Sequence, residues 1–280
     1  MKELTFGDHS RIFDNNEYIY PVLSRRSGGL SIGVNLNTNN ACNYRCVYCQ
    51  VENLIRGAPT PIDTAKLEHE LDELLDMTIN GDFIDTAIQD QNLKRINDIS
   101  ISGNGEPTLS NAFTLTVDII TRLKQKYNIT NIVKTILITN GSHIDDTSVQ
   151  SSLKVMNKTN SEVWFKVDGG TTHAISQINQ VNLSMSSIKD KLYLCGSLCD
   201  TYIQSCFFKQ NGNVLDTNEI KSYVDFVVSS REKIKGVLLY STARTPMLKE
   251  GVNITPVDIH FLENIAHQLA SIGIMVRYYV

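Results

Sequence analysis

Short apolar stretches alternate with longer amphipathic stretches along most of this 280-residue chain. The short stretches have the length and β-branched content of strands, whereas the longer ones carry apolar residues at helical spacing. The sequence predicts strands at 30–36, 98–102, 133–139, 162–167, 201–209, 236–240 and 274–279. It predicts helices near 63–75, 112–126, 146–156, 222–231 and 256–270, and a helical stretch that ends at 198. This order favours a parallel sheet with right-handed crossovers.

The number of these strand and helix units limits the fold. About six or seven units are too few for an eight-unit barrel, so we expect an α/β fold that forms an open, partial (β/α)6 barrel. Residues 1–27 are predicted to be an N-terminal extension that covers one end of the fold. Residues 28–280 are predicted to form a single core domain that closes with a short C-terminal strand, and residues 80–95 are expected to be irregular.

Three of the six cysteines lie directly after the first predicted strand. Cys42, Cys46 and Cys49 have the spacing C-x3-C-x2-C, which allows three thiolates to face one point. A structural zinc site needs a fourth protein ligand, whereas an iron-sulfur cluster held by three cysteines keeps one metal position open. The pattern favours a cluster, and a zinc site completed by a distant histidine remains the alternative.

The other three cysteines are more ordinary. Cys195 and Cys199 fall in a helical stretch, and Cys206 falls in an apolar strand. We interpret all three as buried apolar residues, with an auxiliary cluster as the alternative.

Composition and charge narrow the possible partners and location. The net charge is −4 with no dense block of Lys or Arg, so charge does not support a nucleic-acid partner, although it leaves one possible. The sequence has no apolar run long enough to span a bilayer and no signal-peptide pattern at its start. We therefore expect a cytoplasmic protein with no membrane partner, in which cysteines are reduced.

A second motif, Gly103-Asn104-Gly105-Glu106-Pro107, follows the next predicted strand. Together with the three cysteines it resembles the radical S-adenosylmethionine (SAM) superfamily. The cysteine spacing is the hallmark of that superfamily, and the second turn is similar to its glycine-rich motif with Asn104 in place of a more usual glycine. The predicted order of strands and helices is similar to the family's six-unit partial barrel over most of the chain.

The resemblance implies a function and a set of cofactors. Cys42, Cys46 and Cys49 would hold a [4Fe-4S] cluster, and SAM would bind its open iron. Such an enzyme cleaves SAM to methionine and a 5'-deoxyadenosyl radical, which abstracts hydrogen from a substrate. A reductant protein such as a flavodoxin or ferredoxin would supply the electron. The alternative function is a non-catalytic iron-sulfur protein for electron transfer or binding on the same fold.

The resemblance also implies which residues contact SAM. Gly103, Asn104, Gly105 and Glu106 would lie at its amino group, and Tyr48 would pack near its adenine. Lys166 and Asp168 share one face of a strand and would meet its carboxylate and ribose hydroxyls, unless they pair with each other as a buried ion pair. Further candidates at strand ends are Asn140, Gln204 and Arg244.

Several segments are similar to one branch of the superfamily, the iron-sulfur oxidoreductases related to the wyosine-tRNA synthesis enzyme. These segments are 102–109, 165–168, 203–205 and 239–244. Those tRNA enzymes carry additional amino-terminal cysteines or a flavodoxin-like domain, whereas this chain has no cysteine before Cys42. The substrate class therefore stays open between a nucleoside or RNA and a peptide or protein.

Overall fold

The strands and helices alternate as the sequence predicts. The computed structural model describes residues 3–7, 11, 13–24 and 28–279. The strands are β1 (Ile19–Ser24), β2 (Gly29–Val34), β3 (Ala41–Cys42), β4 (Ile55–Arg56), β5 (Ile96–Ile101), β6 (Lys134–Thr139), β7 (Ser161–Lys166), β8 (Thr201–Gln210), β9 (Gly236–Ser241), β10 (Ile254–Pro256) and β11 (Val276–Tyr279). The helices are α1 (Thr64–Ile79), α2 (Phe83–Ala87), α3 (Phe113–Lys126), α4 (Thr147–Met156), α5 (Thr172–Asn179), α6 (Met185–Leu198), α7 (Thr217–Ser229) and α8 (Ile259–Ala270).

The main sheet is an open, curled half-barrel. Its strand order is β1-β2-β5-β6-β7-β8-β9-β11, and β10 pairs with β8 outside this path. All neighbours from β2 to β11 along the path are parallel, because a helix crosses over between consecutive strands. This arrangement confirms the predicted partial barrel and its short C-terminal strand.

The N-terminal region contributes a strand that the sequence pattern did not reveal. β1 lies within the predicted extension 1–27 and pairs antiparallel with β2 at the edge of the sheet. Glu70 of α1 secures it, since this buried carboxylate accepts backbone hydrogen bonds from Tyr18 and Ile19. Parts of the predicted extension, namely residues 1, 2, 8–10, 12 and 25–27, lie outside the described residues.

Three local predictions were wrong in their boundaries. Residues 80–95 contain the short helix α2 and a turn of 3-10 helix rather than only irregular chain. The helical stretch that ends at Leu198 is two helices, α5 and α6. Helix α7 begins at Thr217 because the Asp216 side chain caps it. The Asp216 carboxylate accepts hydrogen bonds from the backbone N–H groups of Asn218 and Glu219.

The two faces of the sheet have different roles. The helices cover the outer face, where the main apolar core includes Leu67, Leu71, Leu74 and Leu75 of α1. The inner face carries the alternate residues of each strand, so β7 turns Trp164 and Lys166 inward and Val163 outward. Among the described residues no helix has both the length and the apolar character of a membrane span.

Candidate functional site

A cavity of about 330 Å³ opens on the inner face of the half-barrel. The carboxyl ends of the parallel strands and the loops that follow them contribute most of its polar wall, as expected for this class of fold. Its lining includes the predicted residues Cys42, Cys46, Tyr48, Cys49, Gly103, Gly105, Glu106, Asn140, Lys166, Gln204 and Arg244. The two remaining predicted residues, Asn104 and Asp168, lie beside the lining and hold parts of it in place.

The cysteine loop is anchored to the rest of the fold by its backbone. Its start forms the short strand β3, which pairs in parallel with β4. Val47 N donates to Ile178 O at 2.8 Å, and Met247 N donates to Cys49 O at 2.8 Å. The loop is therefore fixed between the end of α5 and the segment after β9.

The three thiols of the loop are half-buried and protonated at neutral pH. Burial raises the pKa of Cys42 and of Cys46 to about 12 and also raises the pKa of Cys49. Metal binding therefore has to displace these protons, because cysteine binds metals as the thiolate.

Within the described part of the chain, no group of three or more Cys, His, Asp or Glu side chains is gathered as the ligands of a metal ion. The zinc site stays the alternative to an iron-sulfur cluster on these three cysteines.

The two glycines of the second motif are required by close packing. A Cβ at Gly103 would lie 2.2 Å from Asn35 Oδ1, and a Cβ at Gly105 would lie 2.1 Å from Ala41 O. The motif after β5 is thus pressed against the segment that leads into the cysteine loop. This contact brings the two motifs to one wall of the cavity.

Glu106 is buried and heavily hydrogen-bonded. Its Oε1 accepts from Thr108 N at 3.1 Å, Thr108 Oγ1 at 2.6 Å and Thr139 Oγ1 at 2.6 Å, and its Oε2 accepts from Asn140 N at 2.6 Å. Burial raises the pKa of Glu106, although these four donors oppose that effect. The carboxylate therefore joins the ends of β5 and β6 at the cavity wall.

Two asparagines among the predicted site residues form hydrogen bonds with the cysteine loop and with the turn before it. Asn104 Nδ2 donates to Asn40 Oδ1 at 2.6 Å, and Asn140 Nδ2 donates to Asn43 Oδ1 at 2.9 Å. Both side chains therefore position the loop after β2 against the loops that follow β5 and β6.

Lys166 and Asp168 form the ion pair that the sequence left as an alternative. The distance from Lys166 Nζ to Asp168 Oδ1 is 3.1 Å, and Nζ also donates to Tyr240 Oη at 2.7 Å. Burial by itself lowers the pKa of Lys166, but the neighbouring Asp168, Tyr240 and Cys206 together outweigh burial and the pKa is raised. Lys166 therefore stays charged in the cavity wall.

Asp168 has several further partners. Its Oδ2 accepts from Tyr48 Oη at 2.5 Å and from Asn179 Nδ2 at 2.8 Å, while Oδ1 accepts from Cys206 N at 2.9 Å. The predicted contacts of Asp168 with ribose and of Tyr48 with adenine stay predictions. In the structure, Tyr48 and Asp168 are hydrogen-bonded to each other.

Gln204 provides the clearest sign that the cavity accommodates a polar ligand. The residue is 1% exposed, and its Nε2 has no hydrogen-bond acceptor among the described residues. A buried amide donor without an acceptor is costly, and a polar ligand in the cavity would relieve that cost. The three thiols and this donor together fit a cluster whose open iron binds a polar organic molecule.

The residues of the site that the sequence analysis missed include Asn179, Tyr240 and Cys206. Asn179 lies at the end of α5, where no motif marks it, and Tyr240 lies near the end of β9. Cys206 was interpreted only as a buried apolar residue, and it is buried but also lines the cavity. The period-two pattern could have identified Cys206, because it shares a strand face with Gln204. Cys195 and Cys199 lie in the apolar core as expected.

One solved structure shares this fold over nearly the whole chain. It is the crystal structure of a radical SAM methyltransferase from Sphaerobacter thermophilus, which superposes with a TM-score of 0.61 at 11% sequence identity and covers 92% of this chain and 68% of that chain. At this identity the likeness establishes the fold alone. The chain therefore shares the fold of a radical SAM enzyme, as its motifs predicted, and the finer similarity to the wyosine-related branch stays a prediction.

Sequence relatives cover less of the chain. Proteins described as "UPF0026 protein" from two strains of Helicobacter pylori are 32% identical over 135 residues, which is 48% of this chain and 38% of each relative. A Brachyspira hyodysenteriae protein described as "GTPase Obg" is 29% identical over 165 residues, which is 58% of this chain and 20% of that protein. No protein-family model matches the chain. The sequence has no Gly-Lys pair and therefore no phosphate-binding loop of the usual GTPase type.

Proposed function

We propose that this protein is a radical SAM enzyme that binds a [4Fe-4S] cluster through Cys42, Cys46 and Cys49. The observation that carries the proposal is that these thiols line one cavity with Gly103, Gly105 and Glu106. When bound, a reduced cluster of this kind supplies the electron that splits SAM into methionine and a 5'-deoxyadenosyl radical, which takes hydrogen from a substrate.

The side chains of the cavity provide orientation and charge. Glu106, the Gly103–Gly105 backbone and Gln204 Nε2 offer acceptors and a donor for the polar groups of SAM's methionine part. Lys166 carries a half-buried positive charge that is suited to a carboxylate, although Asp168 already pairs with that charge. Asn140 and Arg244 complete the polar wall. The apolar inner-face residues Ile138 and Trp164 restrict water on the side where a substrate would lie.

The direct test is anaerobic reconstitution with iron and sulfide, followed by dithionite and SAM. Wild-type protein is expected to bind four irons per chain and release methionine and 5'-deoxyadenosine. Cys46→Ala should lose both properties. Cys195→Ala is the matched control, because it removes a buried thiol of the core outside the cavity and should keep both. Product release by Cys46→Ala equal to that of wild type would overturn the proposal.

The alternative is a non-catalytic iron-sulfur protein for electron transfer or binding. The unpaired buried donor of Gln204 favours the enzyme, because a protein that only transfers electrons has no need for it. Electron paramagnetic resonance of the reduced cluster discriminates between the two functions. Added SAM should change the spectrum of an enzyme and leave that of an electron carrier unchanged.

The substrate class, location and electron donor also belong to this proposal. A net charge of −4 offers no broad basic surface, so a small nucleoside, a peptide or a protein suits the cavity better than a long nucleic acid. A flavodoxin or ferredoxin would reduce the cluster in the cytoplasm.

A further inference from the structure

Asn179 is the residue through which the cysteine loop and the Lys166–Asp168 pair are joined. It is the last residue of α5 and is 3% exposed. Its backbone carbonyl accepts from Arg45 N at 3.2 Å, so the main chain of α5 contacts the loop directly beside Cys46. Its side chain is therefore held in place by a fixed helix end.

The side-chain amide of Asn179 uses both of its hydrogens. Nδ2 donates to Cys46 Sγ at 3.2 Å and to Asp168 Oδ2 at 2.8 Å. Within the described part of the chain, no comparable side-chain donor is seen at the sulfurs of Cys42 or Cys49. Backbone N–H groups serve the other two sulfurs, from Tyr44 at Cys42 and from Val51 and Gln50 at Cys49, so Cys46 differs from them in having a side-chain amide donor.

The chemistry of an iron-sulfur cluster gives this contact a consequence. Reduction adds one negative charge, which the cysteine sulfurs share, and hydrogen bonds to those sulfurs help to set the reduction potential. An amide donor on Cys46 favours the reduced state. Asn179 also occupies the position between the Cys46 sulfur and the Asp168 carboxylate, so its removal would leave a negative charge facing the sulfur with no intervening donor.

We infer that Asn179 is a positioning residue that raises the reduction potential of the cluster through its hydrogen bond to Cys46 and links the cluster to the Lys166–Asp168 pair. This inference rests on the proposed function, because it requires a cluster on the three cysteines. It concerns the ease of reduction, which is a property separate from the chemistry of SAM cleavage.

The test measures the midpoint potential of the reconstituted cluster by a redox titration followed with electron paramagnetic resonance. Asn179→Leu replaces the amide with an apolar side chain of similar size. At a fixed potential the ratio of reduced to oxidised cluster should fall roughly tenfold, which corresponds to about 59 mV for one electron. Asn157→Leu is the matched control, because Asn157 is an exposed asparagine at the end of α4 and its replacement should leave the potential unchanged.

The outcomes separate the two proposals. A wild-type protein that binds no cluster would overturn the proposed function and this inference with it. Equal potentials for fully loaded wild type and Asn179→Leu would overturn the inference alone.

A second measurement decides the question if Asn179→Leu fails to fold or to load a cluster. Wild-type protein is labelled with the heavy nitrogen isotope in its asparagine side-chain amides, and the reduced cluster is probed for magnetic coupling to that nitrogen. Coupling from a side-chain amide is expected because Asn179 Nδ2 contacts the Cys46 sulfur. A spectrum without that coupling would refute the inference.

Discussion

Tyr48 Oη donates a hydrogen bond to Asp168 Oδ2 at 2.5 Å and thereby joins the cysteine loop to the segment that follows β7. The two residues are separated by 120 positions in the chain. The Tyr48 ring also lies 5.7 Å from that of Phe208, centroid to centroid, and Lys166 Nζ lies 5.0 Å from its centroid. The loop that carries the cysteines is therefore fixed by a side chain of its own as well as by its backbone.

Tyr48→Phe removes the phenol donor and keeps the ring. A hydrogen bond to a charged group contributes about 1.5–3 kcal/mol, so the free energy of unfolding should fall by an amount of this order. Chemical denaturation of the unloaded protein measures it. Tyr193→Phe is the control, because Tyr193 Oη donates to a neutral carbonyl near the surface and its loss should cost less. Equal effects for the two variants would contradict the role assigned to Tyr48.

Gly105→Ala introduces a Cβ 2.1 Å from Ala41 O, which is a backbone atom that cannot rotate away. We expect a loss of stability of about 1–3 kcal/mol and displacement of the cysteine loop, because an overpacked site must shift its backbone. Thermal unfolding and iron content after reconstitution measure the two effects. Gly57→Ala is the control, since a Cβ there meets nothing within 4 Å, and it should leave both values nearly unchanged.

Gln204→Met removes the buried donor that has no acceptor among the described residues. The unloaded protein should gain about 1 kcal/mol of stability, because an unsatisfied buried polar group costs about 1–3 kcal/mol. With the cluster bound, SAM should raise the melting temperature of Gln204→Met less than it raises that of the wild type. Gln268→Met alters an exposed glutamine of α8 and should change neither quantity. A Gln204→Met protein with full response to SAM would show that Nε2 does not meet the ligand.

The burial of Lys124 predicts that the free energy of unfolding depends on pH. This effect is independent of the cavity. It is 0% exposed, and its Nζ donates to the neutral oxygens Thr135 Oγ1 at 3.0 Å and Asn160 O at 3.1 Å. Burial lowers its pKa to about 8, below the value of about 10.4 for an unfolded lysine. Between these two pH values the unfolded state binds more protons, so stability rises as the pH rises.

The matched comparison for Lys124 is Lys124→Met across the same pH range. The unfolding free energy of the wild type should increase relative to the variant by up to about 3 kcal/mol between about pH 8 and pH 10.4. Using the difference between the proteins removes the contributions of other titrating groups. A difference that stays constant with pH would show that the lysine is not held in an unfavourable charged state.

The order of strands and helices could be predicted from the sequence because it depends on local periodicity. The alternation of side chains along β7 and β8 is enough to predict which residues face inward and which face outward. The positions of the cysteine loop and the Gly103–Glu106 turn could also be predicted, because they come shortly after the ends of β2 and β5 in the chain. Strand β1 escaped prediction because Pro21 interrupts its short apolar run, and a proline within such a run weakens the signal for a strand. The start of α7 was missed because a cap depends on the Asp216 side chain rather than on apolar spacing.

The sequence by itself determined the parallel half-barrel and the two motifs that meet in its cavity, since both are encoded by residues close together in the chain. Only the tertiary structure decided which side chains are partners: Lys166 with Asp168, Asp168 with Tyr48, and Asn179 with Cys46. Partnership of this kind requires distant segments to reach within about 3 Å of each other, and spacing along the chain does not encode that distance. The cysteine spacing therefore predicts a cluster. The surroundings that would set the reduction potential of that cluster depend on the packing of the end of α5 against the cysteine loop.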